Sequence, residues 1–156
     1  MNISIIIPNY NGKELLRKNL PKVIESVADY KNGEIEIIIV DDYSLDDSIK
    51  RVNNLIKTKL PSWKDKIRVF KNGKNLGFSS TVNKGVREAK GEIVVLLNTD
   101  VIPEKNFLEP LLLHFSDKTV FGVGCMDKSI EDGKIVLRGR GIGRWKKGFL
   151  VHSRGE

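Results

Sequence analysis

A single cysteine, Cys125, rules out an internal disulfide, and that usage suits a reducing compartment. Its neighbours Val123, Gly124 and Met126 read as the end of a strand, where a cysteine serves as a small core residue. No apolar run approaches the roughly 18 residues needed to cross a bilayer. Ile3–Pro8 is apolar but short, and only Met1 and Asn2 precede it. It therefore reads as a buried strand, not a signal-peptide core. The phosphate-loop pattern GxxxxGK[ST] and the dinucleotide pattern GxGxxG are both missing. So is the nucleophile elbow GxSxG. His114 and His152 have no partner at metal-ligand spacing, and His114 reads as a helix-face residue. There is no zinc spacing, no aromatic ribonucleoprotein signature, no internal repeat and no low-complexity segment.

Positive charge is in excess. The chain has 27 Lys and Arg against 20 Asp and Glu in 156 residues, a formal net charge of +7 and a pI near 9.5. Such a balance draws polyanions: nucleic acid, anionic lipid headgroups or phosphorylated ligands. The lysines read as dispersed, with one dense group near the end: Arg138, Arg140, Arg144, Lys146, Lys147 and Arg154. That group is a solvated face or, as the functional alternative, a membrane-surface patch. A nucleic-acid partner would rest on charge alone and is not expected.

Residues 1–156 fit one domain, and 40% hydrophobic residues suffice for a core. Ser4–Pro8 is a continuous β-branched run of the kind buried on both faces in parallel sheets. From Lys13 to about Tyr30, Leu15, Leu16, Leu20, Val23, Ile24 and Val27 fall at helical spacing, interrupted by Pro21. Ile35–Val40 predicts a second strand. A helix carrying Ile49, Val52, Leu55 and Ile56 follows, capped by Asp46 or Ser44. Ile67–Phe70 predicts a third strand. Ser79–Ala89 predicts a helix with Val82, Val86 and Ala89 inward and Gly91 beyond its end. Ile93–Leu97 is a fourth strand, Pro103–Phe115 a helix and Val120–Cys125 a fifth strand. Asp132-Gly133 reads as a hairpin turn before Ile135–Leu137. The core is expected over about 3–137, with 138–156 an irregular basic segment.

Alternating strands and helices imply right-handed crossovers and a mostly parallel sheet. In such sheets ligands bind at the C-terminal strand ends. Three strands deliver polar residues there: Asn9, Tyr10 and Asn11 after the first, Asp41 and Asp42 after the second, Asn98 and Asp100 after the fourth. The first two clusters suit a nucleoside. A carboxylate can accept a base N–H or ribose hydroxyls, and a tyrosine can pack on a base. Helix capping and loop hydrogen bonding are the structural alternative for Asp41 and Asp42, and loop packing is the alternative for Tyr10. The third cluster offers hard oxygen ligands suited to Mg²⁺ or Mn²⁺, with Asp100 the stronger donor. Such an ion would bridge a diphosphate and neutralise its charge as it leaves. A turn before Pro103 is the alternative there. The loop Asn75–Phe78 precedes a helix whose first N–H groups could approach a phosphate.

These pieces, in this order, resemble family 2 glycosyltransferases, especially the rhamnosyltransferase-like branch. They are Ile5-Ile6-Ile7-Pro8-Asn9-Tyr10-Asn11-Gly12 and Ile39-Val40-Asp41-Asp42-Tyr43-Ser44-Leu45-Asp46. Then come Asn75-Leu76-Gly77-Phe78 with Asn83-Lys84-Gly85, and Ala89-Lys90-Gly91-Glu92 before Leu96-Leu97-Asn98-Thr99-Asp100-Val101-Ile102-Pro103. The resemblance covers about Ile3 to Leu137. It implies an α/β fold, a mostly parallel sheet flanked by helices, of the Rossmann-like GT-A type that binds nucleoside-diphosphate sugars. By it, Pro8 and Tyr10 line the base pocket, and Asp42 contacts the base with Asp41 supporting that loop. Gly77, Phe78, Asn83 and Lys84 border the nucleotide. Asn98-Thr99-Asp100 stands for the family's Asp-x-Asp, with Asp100 as metal ligand and Asn98 a departure from the commoner aspartate.

The resemblance implies an inverting transfer from a nucleoside-diphosphate sugar, UDP- or dTDP-linked, to a glycan or lipid-linked acceptor. It also implies a cytoplasmic protein, peripheral at the inner face of the membrane. Family members usually continue well beyond this length. That further part carries the acidic general base an inverting transfer requires and the acceptor-binding surface. Glu131-Asp132 comes too early to be the base and reads as a turn, so the expectation is a truncated domain without its base. A non-catalytic nucleotide-sugar-binding module is the alternative of another class. A phosphoacceptor receiver domain fits poorly, because its acidic pair would follow the first strand and a lysine the fifth.

Overall fold

A computed structural model describes the backbone of residues 1–139, 141–146 and 149–154, with side chains through Leu137. The chain divides into two compact units, Met1–Leu108 and Glu109–Glu156.

The first unit is a four-stranded parallel sheet with helices between its strands. Its elements are β1 (Ile3–Asn9), α1 (Lys13–Val27), β2 (Ile35–Asp41), α2 (Ser48–Lys59), β3 (Ile67–Lys71), α3 (Phe78–Glu88) and β4 (Ile93–Leu96). A 3₁₀ turn at Pro61–Trp63 links α2 to β3. The sheet order is β3-β2-β1-β4, all parallel. The chain thus moves outward through β2 and β3, then returns to the other side of β1. Right-handed crossovers place α1 and α2 on one face and α3 on the other. Accordingly α1 packs on α2, while α3 crosses β1 and β2.

The two central strands, β1 and β2, are buried on both faces, so they read as nearly unbroken apolar runs. Ile3, Ile5, Ile6 and Ile7 of β1 and Ile37–Val40 of β2 are all buried. Alternate residues point to opposite faces. Ile6, Ile38 and Val40 form the core beneath α3, with Phe70, Ala89 and Val94 against them. A Cβ on Gly85 would collide with Ile6 and press on Val40, so glycine lets α3 lie close to the sheet.

The buried residues of α3 are Thr81, Val82 and Gly85, while Val86 is exposed. Val82 is buried and Ala89 packs on the core as the spacing predicts, while the place expected for Val86 is taken by Gly85, which carries no apolar signal. Pro21 lies inside an unbroken α1. The N-cap of α2 is Asp47, without a side-chain cap bond; just before it Asp46, not Ser44, accepts the Ser48 N–H through Oδ1 at 3.0 Å. Its Oδ2 accepts the Lys13 N–H at 3.1 Å at the start of α1. One carboxylate thereby serves two helix N-termini, as the helix dipole favours. Burial pushes this carboxyl up, but hydrogen bonds from Ser48 and Lys13 outweigh it and hold it below the usual range.

The remaining elements depart further from the sequence pattern. The helix predicted from Pro103 begins only at Leu108: α4 is Leu108–Leu112, followed by a 3₁₀ turn at Leu113–Ser116. Asn106 has a left-handed φ of 57°, which no helix tolerates internally. Val120–Cys125 is not a strand. Phe121 is fully exposed and Cys125 is also exposed, so neither is core. The run lacked a partner strand to bury it. The Asp132-Gly133 turn joins β5 (Asp127–Glu131) to β6 (Lys134–Arg138), antiparallel, with positive φ at both turn residues as a type I′ hairpin requires. The segment read as irregular contains a second antiparallel hairpin, β7 (Gly141–Lys146) with β8 (Phe149–Arg154). Gly141 and Gly143 had hidden its period of two. Of the dense basic group, Arg140 and Lys147 lie outside the described residues, and the side chains of Arg138, Arg144, Lys146 and Arg154 lie outside the described ones.

Candidate functional site

The C-terminal ends of β1, β2 and β4 and the loop after β3 meet at one rim. In the β1–β2 register Asn9 lies opposite Asp41. Asn9 is buried and donates through Nδ2 to Asp41 Oδ1 at 2.7 Å and to Ser44 Oγ at 3.1 Å. Asp41, fully buried, also accepts the Ser44 N–H at 3.0 Å. Ser44 Oγ in turn accepts the Asn11 N–H at 2.8 Å. Asn11 Oδ1 takes the Leu45 N–H at 2.8 Å. Asn11 and Tyr43 both carry positive φ, 51° and 64°. Both loops are thus sharply turned and pinned to each other by neutral donors around a buried carboxylate.

Asp42 pins a third loop. It is 4% exposed. Its Oδ1 accepts from Asn72 Nδ2 and the Leu76 N–H, both at 2.8 Å, and its Oδ2 from the Gly77 N–H at 2.8 Å. Burial pushes the Asp42 carboxyl up. Hydrogen bonds from Asn72, Leu76, Thr81 and Gly77 outweigh that and hold it below the usual carboxylate range. Among the described residues neither Asp41 nor Asp42 has an ion-pair partner. Lys84 closes the loop from α3, donating to the Lys71 carbonyl at 2.8 Å and to Asn72 Oδ1 at 3.1 Å.

The β4 loop joins through Thr99. Its carbonyl accepts from Asn19 Nδ2 of α1 at 2.8 Å, and its methyl lies 3.6 Å from where a Gly12 Cβ would stand. That Cβ would collide with Asn9 Oδ1, so glycine at position 12 leaves room for the Asn9 side chain, while its contact with Thr99 is an ordinary one. Two buried acceptors at this rim, Asn9 Oδ1 and Asn19 Oδ1, have no partner among the described residues.

The sequence-chosen residues divide by role. Asn9, Asp41, Asp42, Gly77 and Lys84 are engaged in holding the loops. Tyr10, Phe78, Asn83, Asn98 and Asp100 are exposed on them, Phe78 at 61%, and Pro8 and Thr99 are half-buried. Asn72, Ser44, Asn19 and Thr81 were not chosen, yet they complete the network. Asn72 could have been found, since it directly follows the end of β3 at the same rim. Two hollows lie along α2 and β3, the first reaching Lys13 and Asp47. No group of three His, Cys, Asp or Glu among the described residues could alone enclose a metal. Asp100 does fit as an open ligand. It is an exposed carboxylate with no ion pair among the described residues, beside the amide of Asn98. Mg²⁺-type ions need little more when a substrate's phosphates supply the other oxygens.

A parallel sheet of order 3-2-1-4 with its polar loops gathered where the order reverses is the geometry of a nucleotide site. The sequence matches Glycosyl transferase family 2 over residues 4–153. The chain belongs to that family. It is 27% identical over 136 residues to a dolichol-phosphate mannosyltransferase of Pyrococcus furiosus, covering 86% of this chain and 35% of that protein. It is 35% identical over 124 residues to an uncharacterized glycosyltransferase of Nostoc sp., covering 79% of this chain and 35% of the relative. Among solved structures it is similar to a mannosyltransferase from Pyrobaculum calidifontis in complex with GDP-Man and Mn²⁺. The TM-score is 0.67 at 27% identity, over 76% of this chain and 33% of that one. S. aureus TarS 1-349 in complex with UDP-GlcNAc shares the fold, with a TM-score of 0.61 at 24% identity over 85% of this chain and 39% of that one. The chain thus spans about a third of the length of these curated relatives. The fold of this family 2 chain is α/β, of the kind its glycosyltransferase neighbours share.

Proposed function

We propose that this family 2 chain forms the donor-binding part of an enzyme that transfers a sugar, with inversion, from a nucleoside-diphosphate sugar to a glycan or lipid-linked acceptor. The observation that carries the reading is the convergence of four loops on one strand-end rim, with Asp42 organising the loop from Asn72 to Gly77. Tyr10 offers an exposed ring for the base, beside Pro8. Asp42 completes the base pocket through the loop it holds, and Asp41 fixes the turn below it through Ser44. Phe78 and Asn83, exposed at the start of α3, border the nucleotide with Gly77, and Lys84 holds that border in place. Asp100 would hold a Mg²⁺ or Mn²⁺ ion, with Asn98 and Thr99 shaping its turn. When bound, the ion would neutralise the diphosphate leaving group. The donor is read as UDP- or dTDP-linked and the branch as rhamnosyltransferase-like. The setting is read as cytoplasmic and peripheral to the inner face of the membrane. No helix among the described residues is long and apolar enough to cross a membrane.

Calorimetric titration with UDP, dTDP and GDP, each with and without Mn²⁺, tests the reading. Metal-dependent binding of one nucleotide is expected and would identify the base. Binding of none by a chain shown to be folded would overturn it.

A further inference from the structure

One edge of the sheet is densely basic. Residues 48–74 hold nine Lys and Arg against a single acid, Asp65, a net of +8 where the whole chain carries +7. Residues 138–156 carry a further net of +5, and the remaining residues together sum to −6. The segment comprises α2, the Pro61–Trp63 turn and β3, and β3 is an edge strand. Arg68 is committed to Glu36 and Glu88, and Lys66 to Glu34. Lys50, Arg51, Lys57, Lys59, Lys64 and Lys74 are exposed and form no ion pair among the described residues. Two adjoining hollows share Ile49, Asn53 and Lys57. Between them they bring Lys13, Lys50, Arg51, Lys57, Lys64 and Lys71 to one continuous surface, with Asp47 the one acid in its lining. The floor of the second hollow, about 400 Å³, is apolar: Ile49, Ile56, Ile67, Val69 and Phe70 line it. Trp63 stands half-buried in the turn beside this surface, with Lys66 Nζ 5.6 Å from its ring centre.

We propose that the α2–β3 edge is a docking face for an anionic phospholipid bilayer. Cations alone would suit any polyanion. The apolar floor and the indole among the lysines favour a bilayer, which offers anionic headgroups and acyl chains together. Tryptophan is suited to that boundary, with an apolar body and a polar N–H. Docking there deepens the peripheral-membrane element of the proposed function but does not depend on donor binding.

The test is cosedimentation of the chain with phosphatidylcholine vesicles, with and without about 30% phosphatidylglycerol. Binding is expected to need the anionic lipid and to weaken at least tenfold between about 50 mM and about 500 mM salt. The triple variant Lys57→Gln/Lys59→Gln/Lys64→Gln should lose on the order of 100-fold in vesicle affinity, about fivefold per lysine. Trp63→Ala should also weaken vesicle binding. Arg87→Gln/Lys90→Gln, on and beyond α3 across the sheet, should change it less than threefold, a bound set by screening over the distance between the faces. All variants are checked for unchanged melting and unchanged nucleotide titration, so that failure here and failure of donor binding remain distinguishable. Equal binding to neutral vesicles, or a triple variant that binds like the parent, would overturn the proposal. So would soluble polyphosphate or RNA binding as tightly as vesicles with no effect of Trp63→Ala, which would make the face a general polyanion site.

Discussion

The two ends of the same sheet are built from similar ingredients and do different things. At the N-terminal rim Glu36 accepts from Ser4 Oγ at 2.7 Å, from the Lys90 N–H at 2.7 Å and from Arg68 at 3.2 Å. Burial pushes the Glu36 carboxyl up, and those donors with the Arg68 charge hold it below the usual range. Gly91 fits because a Cβ there would stand 2.5 Å from the Ser4 nitrogen. This network is closed, with its charge compensated and its backbone close-packed. At the C-terminal rim Asp41 and Asp42 are more deeply buried but are met by neutral donors only, and the loops there also carry exposed Tyr10, Phe78, Asn98 and Asp100. A buried carboxylate without a counter-cation costs stability unless hydrogen bonds replace it. Spending three loops to hold two such groups in place is what a binding site demands and a structural joint does not. The motif Ala89-Lys90-Gly91-Glu92 therefore belongs to the fold, although it reads as one more piece of the family's signature.

The largest effect that would sharpen this contrast is at the closed end. Gly91→Val forces a side chain into the backbone of Asn2, Ile3 and Ser4, none of which can rotate away. A loss of about 3 kcal/mol or more is expected, measured by urea unfolding. A soluble variant should still bind nucleotide. Next is Asp42→Ala, which strands Asn72 and the N–H groups of Leu76 and Gly77. About 2–3 kcal/mol should be lost, together with affinity for free nucleoside and for the diphosphate alike. Stability loss with unaltered nucleoside binding would make the C-terminal rim as purely structural as the other. Glu36→Gln keeps an acceptor for Ser4 and loses the half-buried pairing with Arg68, so only about 1 kcal/mol should go, with nucleotide titration unchanged.

Strands β1 to β4 and helices α1 to α3 were legible because period and burial are local properties of the chain. The rim was legible too, since strand ends can be counted without knowing the sheet order. What could not be read is which donors meet which carboxylates. Asn9 with Asp41 and Asn19 with Thr99 are 32 and 80 residues apart, and only the register brings them together. Asp42 seen alone suggests a ligand contact; its donors Asn72, Leu76 and Gly77 come from a loop that the sequence places 30 to 35 residues on. The pattern failed most where burial fails. Val120–Cys125 looks like a strand by composition, yet Phe121 is fully exposed, because composition signals a strand only where a partner exists to cover it.

Acid should weaken both rims, and the sign follows from their directions. Glu36, Asp42 and Asp46 are all held below their usual values in the folded chain. A group of this kind stabilises fully above its unfolded pKa, about 4 for carboxylates, and that contribution is lost as pH falls through the folded value. The urea midpoint should therefore be flat from about pH 7 to about pH 5 and drop below about pH 4. Asp46→Asn should make the drop shallower, because one of the depressed groups no longer titrates. A midpoint that rises on acidification would mean that these carboxylates are strained, not satisfied, in the folded state.

Asp100→Ala should have the smallest effect on the fold and separates the two rims most cleanly. The side chain is exposed and makes no ion pair among the described residues, so stability should change by less than about 0.5 kcal/mol. Metal-dependent nucleotide binding should nonetheless weaken at least tenfold, about 1.4 kcal/mol, in calorimetric titrations with Mn²⁺ present. The metal-independent part of the affinity should persist, since Tyr10 and the loop held by Asp42 are untouched. No residue at the N-terminal rim can give that combination, because each one there that matters to binding would matter first to folding. If Asp100→Ala instead keeps full Mn²⁺-dependent binding, the ion is held by other oxygens, and the Asn98–Asp100 turn is only the way the chain leaves β4.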